Sequence, residues 1–139
     1  LYEYIDMIEE TGVLSFEMTG LYEKCYTNEK VFEYFEILPN DSIRESSQFV
    51  GGVLFLKKCE NSIKIVNEYY RIACERPDLF SDEYNSYKRQ PYFIDHRHDQ
   101  SIFGILRKIY PSTIIKDESW AEDFRDIMYA PILATRISC

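Results

Sequence analysis

Residues Ile94–Tyr110 read IDHRHDQSIFGILRKIY, and this stretch organises the rest of the chain. It contains both histidines of the sequence, His96 and His98, interleaved with Asp95, Arg97 and Asp99. From there the chain runs into a segment whose apolar residues fall at Ile102, Phe103, Ile105, Leu106 and Ile109, the spacing of a helix with one wide buried face. Asp99 lies three residues before Ile102 and four before Phe103, so the spacing puts it in the first turn, on the buried side. An acid there is favoured by unpaired amide N–H groups and the positive end of the helix dipole, by roughly 0.3–1 kcal/mol. Two readings follow. Either the cluster is a site delivered to an inward-pointing helix start, or Asp95 or Asp99 is an N-cap with Arg97 as its surface ion-pair partner. Zinc is disfavoured: a closed site takes four ligands and a catalytic one keeps three protein ligands. The chain has only two histidines and no cysteine near them.

Working back from this helix, Phe49–Lys57 (FVGGVLFLK) is the strongest strand signal. It is a continuous apolar run of the kind buried on both faces of a mixed or parallel sheet. Gly51 and Gly52 inside it point to a bulge, or to close approach by backbone or ligand. Before it, Leu1, Tyr4, Ile5 and Ile8 repeat at helical spacing and Gly12 supplies the stop. Val13–Met18 reads as a strand with Leu14, Phe16 and Met18 on one side, broken at Gly20. Thr27 is the expected N-cap of a helix through Val31, Phe32, Phe35 and Leu38 that Pro39 ends. Ser42 and Glu45 have capping-box spacing for one further turn.

After the strand, Asn61 or Ser62 caps a helix with Ile63, Val66, Tyr70 and Ala73 on its stripe, closed by Pro77. Residues 78–93 have no clean period and carry Tyr84, Tyr87 and Tyr92; a connection of that length is more often functional or mobile than structural filler. Beyond the organising helix come a strand, Thr113–Lys116, a short helix capped by Ser119 and Glu122 with Trp120, Phe124 and Ile127, and an apolar tail, 132–137. Helices alternating with buried strands indicate an α/β layer.

The 139 residues are enough for one domain burying about 68% of its unfolded surface. They are 45% hydrophobic and 16% aromatic, a globular composition. A net charge of −8 argues against nucleic acid as the main ligand, because phosphate binding needs a basic face. Cys25, Cys59, Cys74 and Cys139 form no C-x-x-C pair and read as reduced, partly buried thiols of a cytoplasmic protein. No run approaches the ~18 apolar residues of a membrane span, and no stretch reads as a signal peptide. The opening on Leu1, mid-pattern, reads as an excerpt of a longer protein.

Three pieces then stand in a characteristic order: a Gln48-x-x-Gly51-Gly52 strand followed by a long helix, a His96-Arg97-His98-Asp99-Gln100-Ser101 segment opening another helix, and a strand ending in Asp117-Glu118. The tail Ala134-Thr135-Arg136-Ile137 belongs to the same pattern. From about Tyr2 to its end, the chain resembles the acceptor-side half of a GT-A-fold nucleotide-sugar glycosyltransferase. The likeness is to bacterial and viral capsular or lipopolysaccharide-type enzymes and, more distantly, the glycogenin-like group. The resemblance implies a partial GT-A fold, a mixed sheet flanked by helices. It makes residues 1–139 one domain, the C-terminal part of a GT-A domain without its N-terminal nucleotide-binding half.

It also implies that Asp99 is catalytic, beside the transferred sugar or the acceptor hydroxyl, with Gln100 in reach of the donor sugar. Gly51 and Gly52 would let the sheet backbone approach the substrate, with Gln48 on the same strand. His96, Arg97 and His98 would line the pocket near the diphosphate. Tyr84, Tyr87, Tyr92 and Trp120 are candidates to stack on acceptor sugars, though core packing is the commoner fate of each. The implied partners are a nucleotide-sugar donor and a saccharide acceptor. The implied cofactor is Mn²⁺ or Mg²⁺ on an Asp-x-Asp motif, which this sequence lacks. The expectation is therefore that this segment alone is inactive and that its sheet has an edge prone to association. The alternatives are a non-catalytic α/β binding or scaffold module and, third, a metal-dependent hydrolase with carboxylate ligands.

Overall fold

The computed structural model describes residues 2–119 and Ile132. The expected helix around Trp120, Phe124 and Ile127 and the tail strand fall outside the described residues. What is described is a mixed α/β layer: a four-stranded sheet with helices packed against it.

The first helix, α1 (Tyr2–Met7), ends in a turn where Gly12 at φ +71° donates to the Ile8 carbonyl, 2.8 Å. The central strand β1 (Val13–Tyr22) follows. Gly20 does not end it. That glycine sits at φ +89° within a stretch where the pairing register shifts, so the strand bulges and continues. A single turn, α2 (Glu23–Tyr26), then precedes α3 (Glu29–Tyr34), and sequence reasoning missed α2. The α3 cap is Asn28, whose side chain accepts from the Val31 amide; Thr27 instead donates its hydroxyl to Glu23. Asp41 caps the one-turn α4 (Ser42–Glu45).

The expected strand Phe49–Lys57 is divided into β2 (Ser47–Phe49) and β3 (Phe55–Leu56), with Gly51 and Gly52 exposed at the bend between them. Both pieces run antiparallel to β1 along one edge. Four steps along β1 from Val13 to Glu17 are matched by seven from Leu56 back to Phe49, so three residues bulge out. The run is apolar because Val50, Val53 and Phe55 pack on one side against Leu14 and Phe16; it is not buried on both faces. The other edge of β1 pairs in parallel with β4 (Thr113–Lys116).

Between β3 and β4 lie α5 (Glu60–Glu75), a 3₁₀ turn (Pro77–Phe80) and α6 (His98–Ile109). Cys59 is the N-cap of α5, in a capping box with Ser62. The helix buries Ser62, Ile65 and Ile72, whereas Ile63, Val66 and Tyr70 are exposed. The buried stripe is thus one residue out of step with the expected one, because a serine stands where the hydrophobic pattern begins.

Alternation along β1 separates two cores. Val13 joins α3, α5 and α6 through Val31, Phe32, Ile65, Ile102 and Ile105. Leu14 and Phe16 join Tyr4 and Ile8 of the N-terminal segment. Cys25 and Cys59 are half-buried free thiols and Cys74 is exposed. No described helix is long and apolar enough to cross a membrane.

Candidate functional site

The segment entering α6 is held by the carbonyls of α2. Ile94 N donates to Cys25 O at 2.8 Å and Arg97 N to Tyr26 O at 3.0 Å, and the Ser101 hydroxyl donates to the same Tyr26 carbonyl at 2.7 Å. Neither expected acid caps the helix. The N-cap is Arg97, which makes no side-chain cap bond. Asp95 accepts from the His96 amide and from Asn85.

Asp99 is exposed, and its carboxylate makes no hydrogen bond among the described residues. The expectation that it faces the core is therefore corrected. Helix α6 buries Ser101, Gly104 and Arg107 along with Ile102, Ile105 and Leu106. These small and polar residues rotate the buried face away from the one its apolar residues alone define.

What they turn toward is a buried polar network. Glu23 is fully buried, and its carboxylate accepts from Thr27 Oγ1 (2.8 Å), Gln48 Nε2 (3.1 Å) and Lys108 Nζ (2.5 Å). Burial pulls the Lys108 ammonium below its ordinary range, against the opposing pull of Glu23. Arg107 is pulled down to about 10 by the same desolvation and donates to Val50 O at 3.2 Å. Ion pairs in such surroundings repay their desolvation only when every remaining lone pair is also bonded. Here Gln48, Thr27 and Ser47 O supply those bonds. Sequence reasoning missed Glu23, Ser101 and Lys108. The one available signal was the spacing of Ser101, Gly104 and Lys108, three and four residues apart along an otherwise apolar helix.

At the edge of this network Gln100 emerges. Its Nε2 donates to Gln48 Oε1 at 3.1 Å and to Met18 Sδ at 3.5 Å. Gly51 packs directly on it: a Cβ added at Gly51 would lie 3.1 Å from Gln100 Cβ. Arg97 stacks its guanidinium 4.1 Å over the Tyr26 ring, touches the same Met18 sulfur, and has no carboxylate partner among the described residues. Met18 is one residue beyond the last β1–β4 pair, Glu17 with Lys116. Gln100, Arg97 and Gly51 therefore meet at the carboxyl end of the parallel pair, where open α/β sheets bind ligands. Gly52 is exposed with nothing within 4 Å of its added Cβ. Gln48 is fully buried and reaches this surface only through Gln100.

The histidines go elsewhere. His96, 2% exposed, bonds through Nε2 to Leu79 O at 2.9 Å, and its Nδ1 has no partner. Burial lowers its pKa, so the ring is neutral and Nε2–H is the donor to that carbonyl. His98, at φ +39°, bonds through Nε2 to Asp82 at 2.7 Å, and this bond holds the Asp82 carboxyl below its usual range. The two rings pack edge to face, 5.3 Å apart, toward the turn at residues 79–82. Arg97 alone of the expected trio joins Gln100. Tyr84 donates to Asp78 and Tyr87 to Glu33, and Tyr92 lies under Lys24, so each ring has a partner of its own. Trp120 lies outside the described residues.

Among the described residues no group of three or more His, Cys, Asp or Glu side chains could hold a metal ion. No protein-family model, no curated protein and no solved structure matches the chain.

Proposed function

We propose that this chain carries the catalytic and acceptor side of a GT-A-type glycosyltransferase, moving a sugar from a nucleotide-sugar donor to a saccharide or other hydroxyl acceptor. The observation that carries the reading is the contact of Gly51 with Gln100. The most specific motif of the resemblance and its weaker Gly-Gly motif, 49 residues apart in sequence, meet at the carboxyl end of β1 and β4. Asp99, the residue before Gln100, is exposed in the same helix turn, near Tyr69 of α5.

In this reading each residue has a distinct task. Sugar transfer develops positive charge on the ring and negative charge on the leaving diphosphate. The Asp99 carboxylate, unencumbered by other bonds, takes the acceptor hydroxyl proton if configuration inverts, or faces the cationic ring if it is retained. Gln100 is oriented by Gln48, which leaves its Oε1 beside Gly51 to accept from a sugar hydroxyl. Arg97 offers a cation to the leaving group. The Mn²⁺ or Mg²⁺ of the resemblance finds no fitting ligand set among the described residues, so no step is assigned to it.

The test is nucleoside diphosphate release by the intact protein over a panel of uridine and guanosine diphosphate sugars. Asp99→Asn is expected to lower turnover by about 10² or more without loss of fold. The exposure of Asp99 favours one other reading, a non-catalytic α/β binding or scaffold module. No release with any donor would favour that reading, and release that is unchanged in Asp99→Asn would remove the role assigned to Asp99.

A further inference from the structure

Asn28, 2% exposed, uses the two ends of its amide unequally. Oδ1 caps α3 by accepting from Val31 N at 3.1 Å, which fixes the amide orientation and turns Nδ2 away from the helix. That Nδ2 is buried and has no partner. Asn85 is the converse. Its Nδ2 donates to the Asp82 and Asp95 carboxylates at 3.0 and 3.3 Å, groups that only accept, so its orientation is fixed too. Its Oδ1 is buried without a partner.

Asn28 and Asn85 both line one slot, walled by Tyr87 and Phe93, with a volume of about 10 Å³. That is room for a single oxygen-sized group. A buried donor and a buried acceptor left unpaired both carry a desolvation cost, and the chemistry that relieves both is narrow. A carboxylate would satisfy Asn28 alone and an ammonium Asn85 alone; an apolar group would satisfy neither. A hydroxyl accepts one bond and donates another.

The slot shares Glu29 and Gln90 with an adjoining groove of about 430 Å³, a volume in the range of small-ligand sites. Ile37, Leu38 and Pro39 give that groove an apolar wall. Two of the three non-glycine residues with positive φ among the described residues, Glu36 and Lys88, also line it, and such strain is often kept where a ligand is clamped. Asp82 links the slot to the start of α6, since it bonds both Asn85 and His98.

We infer that slot and groove form a saccharide subsite, in which one sugar hydroxyl accepts from Asn28 Nδ2 and donates to Asn85 Oδ1. The choice of a sugar rests on the transferase reading; the need for a hydroxyl does not. Water offers the same two bonds, so the experiment must separate the two sources.

The full chain is titrated with the methyl glycosides of α-glucose, β-galactose and α-mannose, and the Asn28 and Asn85 side-chain amides are followed by ¹⁵N NMR. At least one glycoside is expected to shift both in a saturable way. Asn28→Asp keeps the capping oxygen but replaces the donor with a buried, charged acceptor. Because the new carboxylate is buried, it should lower the melting temperature, yet leave a folded protein that binds that glycoside about tenfold or more weakly. The inference is overturned if no glycoside moves either resonance up to about 50 mM, well past the range of millimolar affinities. It is equally overturned if Asn28→Asp binds as tightly as the parent, or if crystals grown with glycoside show only a water bridging the amides. Glycoside binding in a protein that transfers no sugar would leave this subsite standing and remove only the transferase reading.

Discussion

Replacing Gly51 and Gly52 separately with alanine probes the contact on which the site depends. Neither glycine has a positive φ, so the backbone accepts alanine at both positions. At Gly52 the new methyl group meets nothing within 4 Å. At Gly51 it would lie 3.1 Å from Gln100 Cβ, 3.2 Å from its Oε1 and 3.3 Å from its Cγ. The outer atoms can swing aside, but only by straining the bond to Gln48. The Cβ can move only with the first turn of α6. Crowding of this kind costs about 1–3 kcal/mol. Loss of the Gln100–Gln48 hydrogen bond would account for about 0.5–1.5 kcal/mol of that. Both variants also gain about 0.4–1 kcal/mol from a less flexible unfolded chain, and this gain cancels when they are compared with each other. Gly51→Ala should therefore be less stable than Gly52→Ala by about 1–3 kcal/mol. Gly52→Ala should match or slightly exceed the parent. Urea unfolding followed by circular dichroism, with equal slopes for all three proteins, measures the difference directly. Coincident midpoints for the two variants would mean that the bend does not pack on α6, and the site would lose its central contact.

Three further outcomes are expected. Lys108→Met leaves the Glu23 carboxylate buried without its cation and should cost about 3–5 kcal/mol. Adding Glu23→Gln should restore much of that loss, and strictly additive effects in the double mutant would contradict the pairing. His96 binds its proton less readily folded than unfolded because it is desolvated. Its contribution to stability should be complete above pH 6.5 and fall away as pH drops through the lower, folded value. Parent and His96→Gln unfolding curves measured from pH 7.5 to 4.5 should then differ in slope over that acid window; parallel curves would contradict it. Asn28→Ala removes the cap of α3 and should cost about 1 kcal/mol in thermal or urea unfolding; an unchanged midpoint would contradict the capping role.

Apolar spacing and turn chemistry marked out most of the elements before any coordinates. The helices around Tyr4, Val31–Phe32, Ile65 and Ile102–Leu106, the strand at Val13 and the strand at Thr113 all occur where the pattern places them. So does the irregularity at Gly51 and Gly52. The errors have a common form. In α5 and α6 the buried face begins with a serine, Ser62 or Ser101, and apolar spacing reads past it to a neighbouring stripe. That one-residue error is what turned Asp99 inward on paper when it is exposed. Likewise, Gln48 and His96 looked like surface ligands but are buried and bonded to the interior.

The amino-acid sequence by itself determined the α/β class, the acidic surface and the meeting of a charged cluster with a helix start, because these follow from local spacing and composition. Only the tertiary structure decided which polar groups are buried. Glu23, Gln48, Ser101 and Lys108 lie up to 85 residues apart along the chain, and a polar residue enters the interior only where a partner from another element meets its hydrogen bonds. No local pattern carries that information.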